Sequence, residues 1–264
     1  MAANVLCFDI ETVPDIATGR RLFGLNELDD CAVAEAMYQR QRARSGSDFL
    51  RHHLQRVVAI SVAIRLSNGQ FMVRSVGEVE DSEEELLQRF FAGIERYSPV
   101  LVSWNGAGFD LPVLHYRCLL HGISAARYWE VGDEDASFRY NNYLGRFHWR
   151  HLDLMDVLAG YQPRAAAPLN EIALMLGLPG KLGMDGSQVW HCYRAGEIES
   201  IRAYCDTDVL NTYLIYLRFE LMRGHLGQRQ HADEIQRVHD SLGAAGAPHL
   251  REFLTAWDQA INPS

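Results

Sequence analysis

"FDIETVP", residues 8–14, sets two acids, Asp9 and Glu11, one residue apart at the end of the apolar run "NVLCF" (4–8). Side chains on a strand alternate between faces with period two. With Val5 to Ile10 as a strand, Asp9 and Glu11 project from one face and Ile10 from the other. Two carboxylates confined on one face repel, and at least one pKa rises unless a cation sits between them. Taken alone, the pair also reads as a strand end with two solvated acids, and the rest of the chain decides between the two.

The chain has 264 residues, is 48% hydrophobic and carries a formal net charge of -9. That is enough for one large α/β domain with a sizeable core. Five cysteines (Cys7, Cys31, Cys118, Cys192 and Cys205) are scattered without a C-x-x-C pair. They read as reduced thiols rather than as a disulfide framework or zinc site. The chain enters its first strand at Asn4 without a basic, apolar leader, which predicts a cytoplasmic protein. No apolar run approaches a membrane span. The acidic total argues against coating nucleic acid by bulk charge, but not against an enzyme that holds a chain end through metal ions.

Downstream, "VVAISVAIRL" (57–66) and "QFMVRSV" (70–76) predict an antiparallel hairpin turned at "SNG". "SEEELLQRFFAGIERY" (82–97) predicts a helix with Ser82 as N-cap and acids in its first turn. "VLVSW" (100–104) is a short buried strand, followed by a Gly-bearing turn and a helix over 111–120. "LDLMDVLAGY" (152–161), "LNEIALMLG" (169–177) and the long stretch 197–222 are helical patterns. Residues 15–56 show no strand signal and read as a helical insertion, and 223–264 as a helical extension. One domain over 1–264 follows, a mixed sheet covered by helices.

Two further segments bear on the opening pair. In "SWNGAGFDLPVL" (103–114), Asp110 follows a strand and a Gly-bearing turn at the start of a helix, where it also suits an N-cap. In "YCDTD" (204–208), Tyr204 and Asp208 are four apart and share one helix face, as they also would on an ordinary amphipathic helix. Together the three segments supply D-x-E on a strand, N-x-x-x-F-D after a second strand and Y-x-x-x-D on a late helix, in that order.

On "FDIETVP", "NGAGFDLPVL", "HLDLMDVL", "GMDGSQV" and "YCDTDVLNTYLIYLR", the chain resembles the DnaQ-like 3'-5' exonucleases of the DEDD group, in the subgroup with tyrosine in its third motif. Within that group it looks most like the predicted exonucleases related to the proofreading domain of family B DNA polymerases. The resemblance runs from about residue 4 to 222, and residues 223–264 carry none of it. It implies an RNase H-like fold and phosphodiester hydrolysis with two divalent ions, Mg²⁺ or Mn²⁺, roughly 3.5–4 Å apart. By the resemblance Asp9 bridges both ions, Glu11 and Asp208 complete the site of the attacking water, Asp110 supports the second ion, and Tyr204 orients the water. The related subgroup has histidine five residues before the last acid, where this chain has Ala203. Single-stranded nucleic acid is the implied partner, DNA ahead of RNA. RNA with the same site is the alternative, and a non-catalytic binding module would be expected to lack an acid. Standing without polymerase motifs, the chain suits repair or end-trimming.

Weaker signals surround these motifs. Thr12, Asn105 and Phe109 are candidates for contact with the terminal nucleotide, beside readings as turn or core residues. "YQRQRARSGSDFLRHHLQR" (38–56) and "RYNNYLGRFHWRH" (139–151) interleave basic and aromatic residues. They nominate Arg51, Arg56, Arg139 and Arg146 as charges that guide a single strand, or as solvated surface. His148 and His151 read as surface or substrate-side residues, Asp153 and Asp156 as a helix start and its exposed face, and Asp206 as solvated. "GKLGMDGSQV" reads as a loop near the site, with Lys181 unassigned.

Overall fold

Val5–Pro14 form the first strand, β1, which runs four residues past the expected Ile10. The computed structural model describes residues 3–261, so residues 1–2 and 262–264 of the expected domain lie outside the described residues. On β1, Leu6, Phe8 and Ile10 enter one apolar cluster, while Val5 and Cys7 enter another on the opposite face. Asp9 and Glu11 share the parity of Val5 and Cys7, so the expected alternation holds through both acids.

The insertion holds two helices, α1 (Ile16–Phe23) and α2 (Asp30–Ser45), capped by Asp15 and Asp29. The hairpin forms from β2 (Gln55–Arg65) and β3 (Phe71–Ser75), so Arg56 belongs to a strand rather than to the insertion. Helix α3 (Glu83–Tyr97) starts in a Ser82–Glu85 capping box. Then come β4 (Val100–Ser103), α4 (Asp110–His121) and α5 (Ala126–Trp129). His151–Asp153 form a fifth strand, β5, followed by α6 (Leu154–Leu158) and α7 (Leu169–Met175). The chain closes with α8 (Val189–Arg194), α9 (Ile198–Met222), α10 (Gln228–Ala244) and α11 (Pro248–Ile261).

β5 corrects the helical reading of residues 152–153. Three residues are too few for period-two alternation to register, and the apolar pattern of α6 follows without a break. The sheet order is β3-β2-β1-β4-β5, with β1–β2 and β2–β3 antiparallel and β1–β4 and β4–β5 parallel. This is a mixed α/β architecture of the RNase H-like type, with helices on both sheet faces. The β1–β2 register shifts between Glu11 and Thr12, where Val58 of β2 is the extra, unpaired residue just past the acids.

Helix α9 is the centre of one face, where Val209, Tyr213 and Leu217 pack with Cys7. Residues of α10 and α11 (Val238, Leu242, Phe253 and Trp257) belong to that same cluster. On the other face α3 and α4 cover Phe8 and Ile10 through Phe90, Leu87, Leu111 and Leu114. At the base of the insertion, buried Arg117 of α4 pairs with Asp15 and with Glu83, whose Oε1 also accepts the N–H of Val57 at 2.7 Å. Among the described residues, no helix is long and apolar enough to cross a membrane.

Candidate active site

The site is built where β1, the loop after β4 and the middle of α9 meet. One oxygen each from Asp9 and Glu11 and the thiol sulfur of Cys205 lie within 4.8 Å of one another. Glu11 is buried and Asp9 half-buried. Burial pushes the Asp9 carboxyl well above its ordinary range, and the charges of Asp110, Glu11 and Asp208 push it further. Burial and Asp208 do the same to Glu11, against the opposing charge of Lys181. Asp9 therefore stands within electrostatic reach of the other three acids, and Glu11 within reach of Asp110 and Asp208.

Asp110 does not cap its helix; it is the first residue of α4, behind Phe109. β4 pairs with β1 only as far as Cys7, and the N–H of Ile10 beyond it donates to Asp110 Oδ1 at 3.1 Å. Burial raises the Asp110 carboxyl to about 7. Its loop is held from β5: Asp153 accepts the N–H groups of Asn105 and Ala107, both at 2.9 Å, while also capping α6. Asn105 takes a left-handed φ of 66°. A Cβ at Gly108 would stand within 3.0 Å of its Oδ1, and one at Gly106 equally close to Ser103 Oγ. The "NGAGFD" turn tolerates no side chain at either glycine.

Tyr204 and Asp208 lie one turn apart on α9, both buried. Burial, then the charges of Asp208, Glu11 and Asp9, drive the Tyr204 phenol far above its ordinary pKa. Lys181 reaches in from the loop before α8, touching the phenol oxygen and standing 3.6 Å from Asp208 Oδ2. Asp208 Oδ1 is buried and, among the described residues, has no hydrogen-bond partner. Such an orphaned carboxylate oxygen is costly unless something compensates it. Four oxygen-donor acids, each raised in pKa by burial, and one buried oxygen without a partner among the described residues fit hard divalent cations such as Mg²⁺ or Mn²⁺.

The remaining expected residues are more dispersed. Phe109 is half-buried beside Asp110. Thr12 Oγ1 donates to Gln55 Oε1 at 3.0 Å. Arg51, Arg56 and Arg139 are exposed, Arg56 lying over the Tyr193 ring. Arg146 is engaged by Asp156 in two hydrogen bonds of 2.8 Å, so its charge is already matched. His151 is neither surface nor substrate-side: it is buried and hydrogen-bonded to Ser103 Oγ at 2.9 Å. Asp206 faces away from Tyr204 but is buried, not solvated. It accepts from Ser61 Oγ (2.6 Å), Ser75 Oγ (3.0 Å) and His249 Nε2 (3.0 Å). Lys181 and Cys205 join the site without having been assigned to it from sequence, although Cys205 immediately follows Tyr204.

A mixed five-strand sheet with acids on its central strand, at the start of a flanking helix and on a crossing helix defines the class as RNase H-like exonuclease. The chain belongs to the family of predicted 3'-5' exonucleases related to the exonuclease domain of PolB, which it matches over residues 47–257. The members of that family are predicted 3'-5' exonucleases, that is, phosphodiester hydrolases. The match extends past the expected limit of 222 into α11, and it starts after Asp9 and Glu11, which rest on the geometry. The catalytic chain of DNA polymerase epsilon from Saccharomyces cerevisiae is 26% identical over 150 residues, covering 53% of this chain and 6% of that protein. Its counterpart from Arabidopsis thaliana is 26% identical over 156 residues, covering 57% and 7%. The chain thus spans only a small fraction of the length of these relatives.

Proposed function

We propose that the chain removes nucleotides from 3' ends of single-stranded DNA, using two divalent cations, Mg²⁺ or Mn²⁺, held by Asp9, Glu11, Asp110 and Asp208. The observation that carries this reading is that Asp9 lies within the field of Glu11, Asp110 and Asp208, while Asp208 Oδ1 is buried without a hydrogen-bond partner among the described residues. The chemistry such a pair of cations supplies when bound is charge stabilisation at the attacking and leaving oxygens. Asp9, Glu11 and Asp208 would hold the cations together with Asp110, whose Oδ1 already accepts the N–H of Ile10.

The raised phenol pKa makes Tyr204 a poor base, which favours a role in orienting the attacking water. Lys181 donates to the phenol oxygen, and Asp208 is the phenol's side-chain hydrogen-bond partner. DNA is favoured over RNA because the relatives are catalytic chains of a DNA polymerase. The five free thiols support a reducing compartment, the cytoplasm, where repair or end-trimming would use such an activity. We read residues 1–264 as one exonuclease domain, a reading supported by the core that α10 and α11 share with β1 and α9.

The test is degradation of single-stranded DNA, duplex DNA and RNA labelled at either end, with Mg²⁺, Mn²⁺ or chelator. Shortening from the 3' end, strongest on single-stranded DNA, abolished by chelator and by Asp9→Ala, is expected. Internal cleavage, or undiminished turnover in chelator, would refute the reading.

A further inference from the structure

Cys205 is wholly buried and belongs to a small apolar cluster with Val13, Val58, Ala59, Val189 and Ile201. Its sulfur nevertheless meets the acids of β1. Cys205 Sγ donates to the Asp9 carbonyl at 3.4 Å and stands 3.5 Å from Asp9 Oδ2. Together with one oxygen of Glu11, that sulfur and one oxygen of Asp9 lie within 4.8 Å of one another. Packing explains why a thiol is buried here, but carboxylates set against it are a costly exchange unless an ion joins them. A second observation points the same way. Asp208 lies three residues further on the same side of α9, and its buried Oδ1 has no partner among the described residues. The charge of Asp208 is felt by both Asp9 and Glu11, so all four side chains border one small volume. Asp9 is only half-buried, which leaves an ion a way in.

Mg²⁺ and Mn²⁺ take oxygen donors and leave a thiol aside, whereas Zn²⁺ takes sulfur readily. Zinc binds thiolate at about 2.3 Å and carboxylate oxygen at about 2.0–2.2 Å, in a tetrahedron. A sulfur and an oxygen on one such ion stand about 3.6 Å apart, and two oxygens about 3.4 Å. The 3.5 Å between Cys205 Sγ and Asp9 Oδ2 matches that spacing. The other separations in the trio, all within 4.8 Å, close with roughly an ångström of side-chain rotation. Resting on the metal-dependent exonuclease reading above, we propose that Asp9, Glu11 and Cys205, with Asp208 Oδ1 as fourth donor, form a tetrahedral seat for Zn²⁺ that excludes the hard cations. The thiol proton leaves to solvent as the ion binds. Four protein ligands leave zinc no open position for water, which is the arrangement of structural rather than catalytic sites, so zinc seated here inhibits hydrolysis.

The experiment uses the full chain and Co²⁺, which stands in for zinc and absorbs light when bound. The wild-type protein is expected to show a thiolate-to-cobalt charge-transfer band that equimolar Zn²⁺ removes. Cys205→Ser is expected to lose the band and to weaken Zn²⁺ binding on the order of 100-fold, the upper end of what even supporting residues contribute. Cys205→Ala replaces it if the serine variant does not fold. Cys31→Ser, at an exposed thiol, is expected to keep the band. With Mg²⁺ present, the Zn²⁺ concentration that halves hydrolysis of single-stranded DNA is expected to rise in the Cys205 variant by a similar factor. A band that survives in the Cys205 variants would overturn the seat. So would a wild-type protein that hydrolyses DNA in Mg²⁺ and shows no band, which leaves the exonuclease reading intact. A Cys205-dependent band in a wild-type protein that hydrolyses nothing would strike the exonuclease reading and leave the seat standing.

Discussion

Burial, then the charges of Asp208, Glu11 and Asp9, hold the Tyr204 phenol well above its ordinary pKa, which disfavours a phenolate. Its contribution is orientation. Groups of this kind typically contribute on the order of 10²–10⁴-fold, and one that only positions water belongs at the low end. Tyr204→Phe is expected to lower the single-turnover rate by about 10²-fold while metal titrations stay near those of the wild type. An unchanged rate, with chemistry limiting, would make the tyrosine a packing residue. Two positions away, Asp206 holds Ser61, Ser75 and His249. Asp206→Ala strips the carboxylate partner from the buried Ser61 hydroxyl, the half-buried Ser75 hydroxyl and an imidazole, an expected loss on the order of 2–4 kcal/mol in urea unfolding. Asp206→Asn is expected to recover part of that loss, and a loss below about 1 kcal/mol would deny the network its structural role. The contrast between these neighbours marks what is legible at this scale. Helical spacing brings Tyr204 and Asp208 to one face, and that much is in the sequence. That the opposite face meets a serine from each of two strands and a histidine from α11 depends on contacts spanning up to 145 residues, which no local pattern encodes. Lys181 was illegible for the same reason: its loop has no periodicity, and its partner lies 23 residues away.

At the scale of elements, strands and helices with a face to bury were readable, and β5 was not. Its role comes from its two ends. Asp153 grips the turn that presents Phe109 and Asp110, and His151 bonds Ser103 at the end of β4. Burial holds the His151 imidazole down to about 4, with His115 adding to the effect. An unfolded chain takes up that proton near the ordinary value of about 6.5. Between those values the unfolded state binds more protons, so stability is full above pH 6.5 and declines as pH falls toward 4. Asp110, raised to about 7, works in the opposite direction, and His115, also near 4, adds to the decline, so the His151 share has to be read as a difference. Relative to His151→Gln, the wild-type protein is expected to lose on the order of 2–3 kcal/mol between pH 7 and pH 4. Parallel stability curves for the two proteins would mean that the imidazole charges in the folded state.

On the scale of the whole molecule, the C-terminal helices are fastened to the sheet by a buried ion pair as well as by apolar packing. Arg65 of β2 donates from Nε to Glu234 Oε2 at 3.0 Å and from Nη2 to Oε1 at 2.7 Å, and both residues are buried. The sequence of residues 223–264 foretells a helical extension. It gives no sign that Glu234 would reach a strand 169 residues earlier. Desolvation alone would raise the Glu234 carboxyl, but the hydrogen bond and charge of Arg65, with Arg237 behind it, bring it below its ordinary value. The stabilisation it provides is therefore present above the unfolded pKa, about 4.3 for glutamate, and is lost as pH falls through the lowered value. Glu234→Ala leaves a guanidinium buried without its partner, and a broken pair of this kind costs about 3–5 kcal/mol. Arg65→Met combined with Glu234→Leu removes both charges and is expected to recover most of that loss, since buried pairs are often matched by apolar residues of similar volume. The measurement is urea unfolding at pH 7 and again at pH 3, where protonation of Glu234 narrows the gap between the wild-type protein and Glu234→Ala. A gap as wide at pH 3 as at pH 7, or a double variant no more stable than Glu234→Ala, would show that apolar packing alone fastens α10 to the sheet.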